Sequence, residues 1–185
     1  MAADKASYRN RGGRIQRLVT AYKRFRYFTR AGSNLVVKQS AEFRMVKHAV
    51  LEVGSNVTIQ DYCFFQLTMP EPKVFIGDNT VIGRRNIITA KNRISIGNDV
   101  LIGSDVQIID HSHGMRRDEP IRLQKAEIGF VEIGDDVWIG AGAKILMNVT
   151  VGTGAVIGAN SVVTTDIPDY AIAVGSPAKV VKHRI

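Results

Sequence analysis

From Val53 onward, aliphatic residues return at every sixth position, a period that belongs neither to an α-helix nor to an alternating strand. The clearest run is Ile133, Ile139, Ile145, Val151, Ile157 and Val163. The same spacing links Ile76, Ile82 and Ile88, then Ile96, Ile102 and Ile108, and more faintly Val53 and Ile59. Glycine often follows the aliphatic, as at Gly54, Gly77, Gly83, Gly97, Gly103, Gly134 and Gly140. Four residues after it stands a small or β-branched residue such as Thr80, Val100, Val137, Ala143 or Ser161. Cys63 falls in this class and reads as a small inward filler rather than a reactive thiol. A six-residue side of this kind needs one inward aliphatic, a small neighbour and a permissive corner, which Gly, Asn and Asp supply.

A longer signature overlies the short one. The pattern aliphatic-x-aliphatic-Gly opens at Leu51, Val74, Ile94, Val131 and Val149, at intervals of 23, 20, 37 and 18 residues. Eighteen residues make three sides, so each coil is a triangle of short strands and the longer intervals carry insertions at a corner. One insertion contains Pro70 and Pro72, and the largest adds about nineteen residues after Ser112. Because one coil cannot bury its own inner face, several must stack. The pattern predicts an all-β solenoid over residues 51–185, with an inserted loop at about 112–130 and a C-terminal cap at about 168–185, as strand or short helix.

Residues 1–50 form a basic N-terminal helical segment and lead-in. Ile15, Leu18, Val19, Tyr22 and Phe25 recur at helical spacing between Arg14 and Arg30, with Gly12-Gly13 before and Gly32 after as limits. The net charge of +8 concentrates here. Residues 1–30 hold nine basic side chains (Lys5, Arg9, Arg11, Arg14, Arg17, Lys23, Arg24, Arg26, Arg30) against Asp4, which leaves the remainder balanced. A basic arm on a neutral body argues against a nucleic-acid surface. It suits docking on the solenoid, packing across the solenoid's end or between subunits, or contact with an anionic membrane surface. A single cysteine excludes an intrachain disulfide framework and a cysteine-based zinc site. With neither a secretory leader nor an apolar run long enough to span a bilayer, the chain reads as cytoplasmic, or peripheral to the inner membrane face.

The C-terminal motifs narrow the family. Val131-Glu132-Ile133-Gly134, Trp138-Ile139-Gly140-Ala141, Ile157-Gly158-Ala159, Asp166-Ile167-Pro168 and Gly175-Ser176-Pro177-Ala178-Lys179-Val180 together resemble the hexapeptide-repeat acyltransferases. Within them the chain is similar to the sugar and polysaccharide O-acetyltransferases. The resemblance implies a left-handed parallel β-helix, a homotrimer with active sites between neighbouring prisms, acetyl-CoA as co-substrate and no required metal.

It also implies residue roles. The family's catalytic histidine opens the long loop, which places His113 as general base, with His111 two residues away and Asp110 as the nearest carboxylate to fix its tautomer. A thioester is already activated, whereas a sugar hydroxyl is a poor nucleophile, and imidazole titrates close enough to neutrality to take its proton. The same comparison places the backbone of Ala141 and Ala159 at the pantetheine amides with Thr164 alongside, Trp138 at the thiol end, and Lys179 and Lys182 at the phosphates. The family's asparagine-rich acceptor motif is not matched around Arg84-Arg85-Asn86, so the acceptor stays open. The alternative to O-acetylation is N-acetylation of an amino-sugar nucleotide. A zinc hydro-lyase of the carbonic anhydrase type needs a histidine spacing that the chain lacks, and a non-catalytic scaffold would not need His113.

Overall fold

The computed structural model describes residues 13–69 and 71–185. Pro70 and the basic residues Lys5, Arg9 and Arg11 lie outside them. The chain winds as a left-handed β-helix whose three faces are parallel sheets of six, seven and six strands, the second extended by one antiparallel strand. The five openings of the longer signature stack in register on the first face: Leu51 on Val74, Val74 on Ile94, Ile94 on Val131, Val131 on Val149. The second face stacks Val37, Ile59, Ile82, Ile102, Ile139 and Ile157. The third stacks Phe43, Phe65, Ile88, Ile108, Ile145 and Val163. These rows fill the prism, and nearly all their members are fully buried. Burying each such side chain stabilises the fold by roughly 1.5–3 kcal/mol.

The corners obey the same repeat. Asn34, Asn56, Asn79, Asp99 and Asp136 hold positive φ at successive coils of one corner, the conformation that Asn and Asp tolerate best among side-chain-bearing residues. Their side chains form a ladder there, with the Asn34 amide donating to Asn56 and the Asn56 amide to Asn79, each at 3.0 Å. Gly77 shows why the residue after the aliphatic stays bare: an added Cβ would stand 2.6 Å from the carbonyl of Gly97 on the next coil.

Cys63 takes its filler position, fully buried, with its thiol donating to the Gly83 carbonyl at 2.9 Å. Burial pushes the thiol from its ordinary 9.0 up to about 11. An acid whose pKa is raised by folding favours the fold while protonated. That contribution is complete below about pH 9 and is lost as the pH climbs through about 11. At pH 8 a maleimide is expected to leave the native protein unmodified and to label it once per chain in denaturant. Rapid labelling of the native protein would contradict the burial.

A coil precedes the repeat signature. Strands Arg30–Ala31, Val36–Val37 and Glu42–Met45 lay Ala31, Val37 and Phe43 beneath Val53, Ile59 and Phe65. The six-residue spacing is present there, but alanine and phenylalanine in place of aliphatics hide it from a search for aliphatics.

The helix α1 runs Arg14–Tyr27, three residues shorter than its basic segment, because Thr29 N–H already donates to the Leu51 carbonyl of the solenoid. It lies against the first coil and protects a sheet edge. The Gln16 amide donates to the Val37 carbonyl at 2.6 Å, and the Val37 N–H donates to the Thr20 hydroxyl at 3.2 Å. The buried Lys23 ammonium donates to the carbonyls of Lys38, Gln39 and Ala41. Burial lowers its pKa, while Glu42 and Asp61 act in the opposite sense. At the other end, Ala171–Gly175 continues the second face and Ala178–His183 folds back on it as an antiparallel strand, so the cap is a hairpin.

Candidate active site

The inserted loop leaves the prism at the corner between the third and first faces. It starts as a short antiparallel ladder, His111–His113 against Ala126–Ile128, which pairs His111 with Ile128 and His113 with Ala126. The neck is fixed by backbone and side chain together. Gly129 N–H donates to the Asp110 carbonyl at 2.7 Å, and the Asn92 side-chain amide donates to the Gly129 carbonyl at 2.8 Å. Farther out, the Gln124 amide group donates to the carbonyls of Arg116 and Glu119 and accepts from Arg116 N–H, closing the tip.

Asp110 is the anchor. Val106, Ile108 and Asp110 alternate inward on one strand, so a carboxylate occupies a core position and is fully buried. It accepts from Lys91 N–H at 2.9 Å and Asn92 N–H at 2.8 Å, both on the preceding coil. Its Oδ1 also lies 2.9 Å from His111 Nδ1. Against an ionised carboxylate that nitrogen must donate, which leaves Nε2 as the acceptor of the neutral ring. His111 is largely covered, whereas His113 is exposed and turned the same way by the strand alternation. Among the described residues no group of three or more His, Cys, Asp or Glu converges as a metal site would require.

The other residues singled out from the sequence lie elsewhere on the prism. Trp138, 53% exposed, stands on the outer side of the second face in a row with Leu101, Val156, Ile172 and Lys182. A register shift beside Ile172 and Ala173 brings Lys179, paired with Val174, onto that same outer side. Spacing alone would have put these two lysines on opposite sides. Ala141 and Ala159 stack at the corner between second and third faces, where Asn160 N–H donates to the Ala141 carbonyl. Both residues are exposed, and their N–H groups have no protein acceptor among the described residues. The equivalent amides at the preceding corner are taken, as Ser55 is by Asp78 and Asn98 by Asp135. Thr164 is exposed on the edge that also carries the loop.

Within one chain, therefore, the structure joins Asp110, His111 and His113, and separately joins Trp138, Lys179 and Lys182. The second face lies opposite the corner that bears the loop, so the two groups are not brought together in a single prism. The anchoring role of Asp110, and its partners Asn92 and Gly129, escaped the sequence pattern. The available signal was a carboxylate in the inward register after Val106 and Ile108. Near the acceptor positions, Asn86 is buried and structural, bonding Gly83, Gly103 and Val106, while Arg85 is paired with Asp105 at 2.7 Å.

Comparisons agree with this architecture. The family described as bacterial transferase hexapeptide (six repeats) matches residues 130–165. A Mycobacterium tuberculosis protein named "Probable acetyltransferase" is 42% identical over 139 residues, 74% of this chain and 45% of that protein. The matched stretch is thus under half the length of that curated relative. Among solved structures, a hexapeptide-repeat acetyltransferase of Vibrio cholerae complexed with acetyl coenzyme A is 27% identical, covering 88% of this chain and 74% of its own, with TM-score 0.63. The N-acyltransferase AntD of Bacillus cereus, in complex with dTDP and coenzyme A, covers 89% of both chains at TM-score 0.77 and 24% identity. The stacked six-residue register, the corner rows and these likenesses converge: the chain is a hexapeptide-repeat left-handed β-helix of the kind on which CoA-binding acyltransferases are built.

Proposed function

We propose that this protein is an acyl-CoA-dependent transferase that moves an acetyl group from acetyl-CoA to a sugar or nucleotide-linked sugar, and that it works as a homotrimer. The single observation that carries the reading is the ladder Asp110–His111–Ser112–His113, a carboxylate-anchored histidine strand projecting from the prism edge. In this reading His113 is the general base, His111 positions the acceptor, and Asp110 holds the strand and the His111 tautomer. The acceptor oxygen attacks the thioester carbonyl as its proton passes to imidazole. The carbon–sulfur bond then breaks, and the thiolate leaves with that proton. Acetyl-CoA supplies the activated carbonyl. The exposed Ala141 and Ala159 amides suit its pantetheine, Trp138 covers the thiol end, and Lys179 and Lys182 meet the phosphates, while Thr164, on the histidine-bearing edge, flanks it from the neighbouring chain.

The placement of the two groups supports an assembly. The proposed donor face and the histidine edge are on opposite sides of one prism, so a complete site needs the edge of one chain against the face of another. The loop also exposes Met115, Ile121, Leu123 and Ile128, apolar surface that a neighbouring prism would cover. Light scattering is expected to give three chains of 20.3 kDa. A fully active monomer would overturn the shared site.

A second reading is acylation of the amine of an amino-sugar nucleotide. Its support is the wider structural likeness: AntD, also crystallised with dTDP-4-amino-4,6-dideoxyglucose and coenzyme A, overlays this chain at TM-score 0.74 in that complex. The histidine ladder favours the hydroxyl, which needs a base more than a neutral amine does. Thiol release from acetyl-CoA, measured against a panel of sugars and amino-sugar nucleotides, tests both. An alkali-labile ester product identifies the oxygen acceptor, and a stable amide identifies nitrogen. No acceptor-dependent thiol release from either class would overturn the proposal.

A further inference from the structure

The helix α1 meets the prism with its polar side. Gln16, Thr20 and Lys23 satisfy the open backbone groups of the first coil, as that edge requires, and this turns the apolar stripe outward. Ile15, Leu18, Tyr22 and Phe25 lie along one line of the helix and are 73%, 71%, 62% and 91% exposed. Arg14 and Arg17 flank one side of the stripe and Arg26 the other, while Arg24 turns to the prism and donates to the Ala31 carbonyl at 2.7 Å, and the helix holds no acid. Next to its C-terminal end, a cleft of about 680 Å³ lined by Arg26, Arg44, Lys47, Tyr27, Phe28 and Phe43 adds two more cations to the same end of the prism. Glu42 is the exposed acid on the strand that bears Arg44.

We infer that α1 docks this protein on an anionic lipid bilayer, lying in the interface plane with the stripe from Ile15 to Phe25 among the acyl chains and the arginines at the headgroups. The charge pattern selects this occupant. A second copy of the helix would set arginines against arginines with no acid to pair them. The preceding residues 1–12 bring Lys5, Arg9 and Arg11 and only Met1 and Tyr8 as large apolar groups, too little to cover four exposed side chains. A bilayer of anionic lipid offers both an apolar bed and negative charge. Fourteen residues at about 1.5 Å each give roughly 21 Å, too short to span the hydrocarbon core, so the contact is peripheral. The strand Val36–Val37 on which the helix packs lies four strand spacings from Trp138 on the second face, roughly 19 Å at about 4.8 Å per strand. The proposed donor face therefore stays clear of the bilayer. The inference is independent of the reaction catalysed.

The test is co-sedimentation of the full chain with vesicles of phosphatidylcholine containing about 30% phosphatidylglycerol, against pure phosphatidylcholine, at low and high salt. Binding is expected to the anionic vesicles alone and to fall at high salt. Leu18→Glu/Phe25→Glu should lose it, and Arg14→Gln/Arg17→Gln should weaken it at least tenfold, since each near-surface charge is worth roughly a fivefold change. Light scattering of the same variants should give the wild-type mass. Absence of wild-type binding, or binding that survives Leu18→Glu/Phe25→Glu, would overturn the inference. A change of assembly mass in that variant would assign the stripe to a second copy instead.

Discussion

Replacing His113 with alanine is expected to lower kcat by about 10²–10⁴, the usual worth of a positioned general base, and to leave the fold intact. His113 is exposed, and its ring bonds to no group among the described residues, so truncation removes chemistry and little packing. KM for acetyl-CoA should change little, because His113 is not among the proposed donor contacts. His111→Ala should cost less, through acceptor placement. The Asp110–His111 contact makes the comparison sharp, since His111 has an oriented ring with Nε2 free to accept. If His111→Ala is inactive while His113→Ala turns over near wild type, the roles exchange and the register inferred from Val106 and Ile108 is off by one inward position. The size of the loss also reports on the acceptor. A neutral amine attacks a thioester without a strong base, so a His113→Ala loss well under tenfold would accompany amide products.

The solenoid was legible because its geometry repeats. Leu51, Val74, Ile94, Val131 and Val149 open successive coils in the sequence and stack directly in space, since a parallel β-helix converts interval into register. The first coil was harder to see, because Ala31 and Phe43 meet the same volume demand with residues that break the aliphatic pattern. The site was legible only in part. That the histidines open the long loop can be read along the chain, but the clamp of Asp110 on Lys91 and Asn92 joins residues eighteen and nineteen apart through one carboxylate. Likewise a single irregularity beside Ile172 decides that Lys179 and Lys182 share a side, and no propensity scale encodes it. The helix carried a further ambiguity. Its apolar stripe suggested inward packing as readily as outward exposure, and the open backbone of Val37, Lys38, Gln39 and Ala41 resolves it by demanding polar partners.

Asp110→Ala is expected to be the most destabilising single change near the site. The carboxylate is fully buried and satisfies two backbone N–H groups of the preceding coil together with the His111 ring. Removing it leaves those part-buried donors and the His111 ring without their acceptor, and each such loss costs at most about 1–3 kcal/mol. A total of about 3 kcal/mol follows, allowing for partial relaxation of the Lys91–Asn92 corner. Asp110→Asn keeps one acceptor oxygen but turns an amide toward donors, so it should fall between wild type and alanine. Chemical denaturation at one fixed protein concentration measures both, which holds any contribution from assembly constant. Activity separates structure from chemistry when it is taken where each variant is still folded. The loop neck depends on this residue through Gly129, so Asp110→Ala should lower kcat even in the folded state by misplacing the histidine strand. A stability within about 0.5 kcal/mol of wild type would mean that the corner amides find other partners, and the carboxylate would then no longer be the anchor of the site.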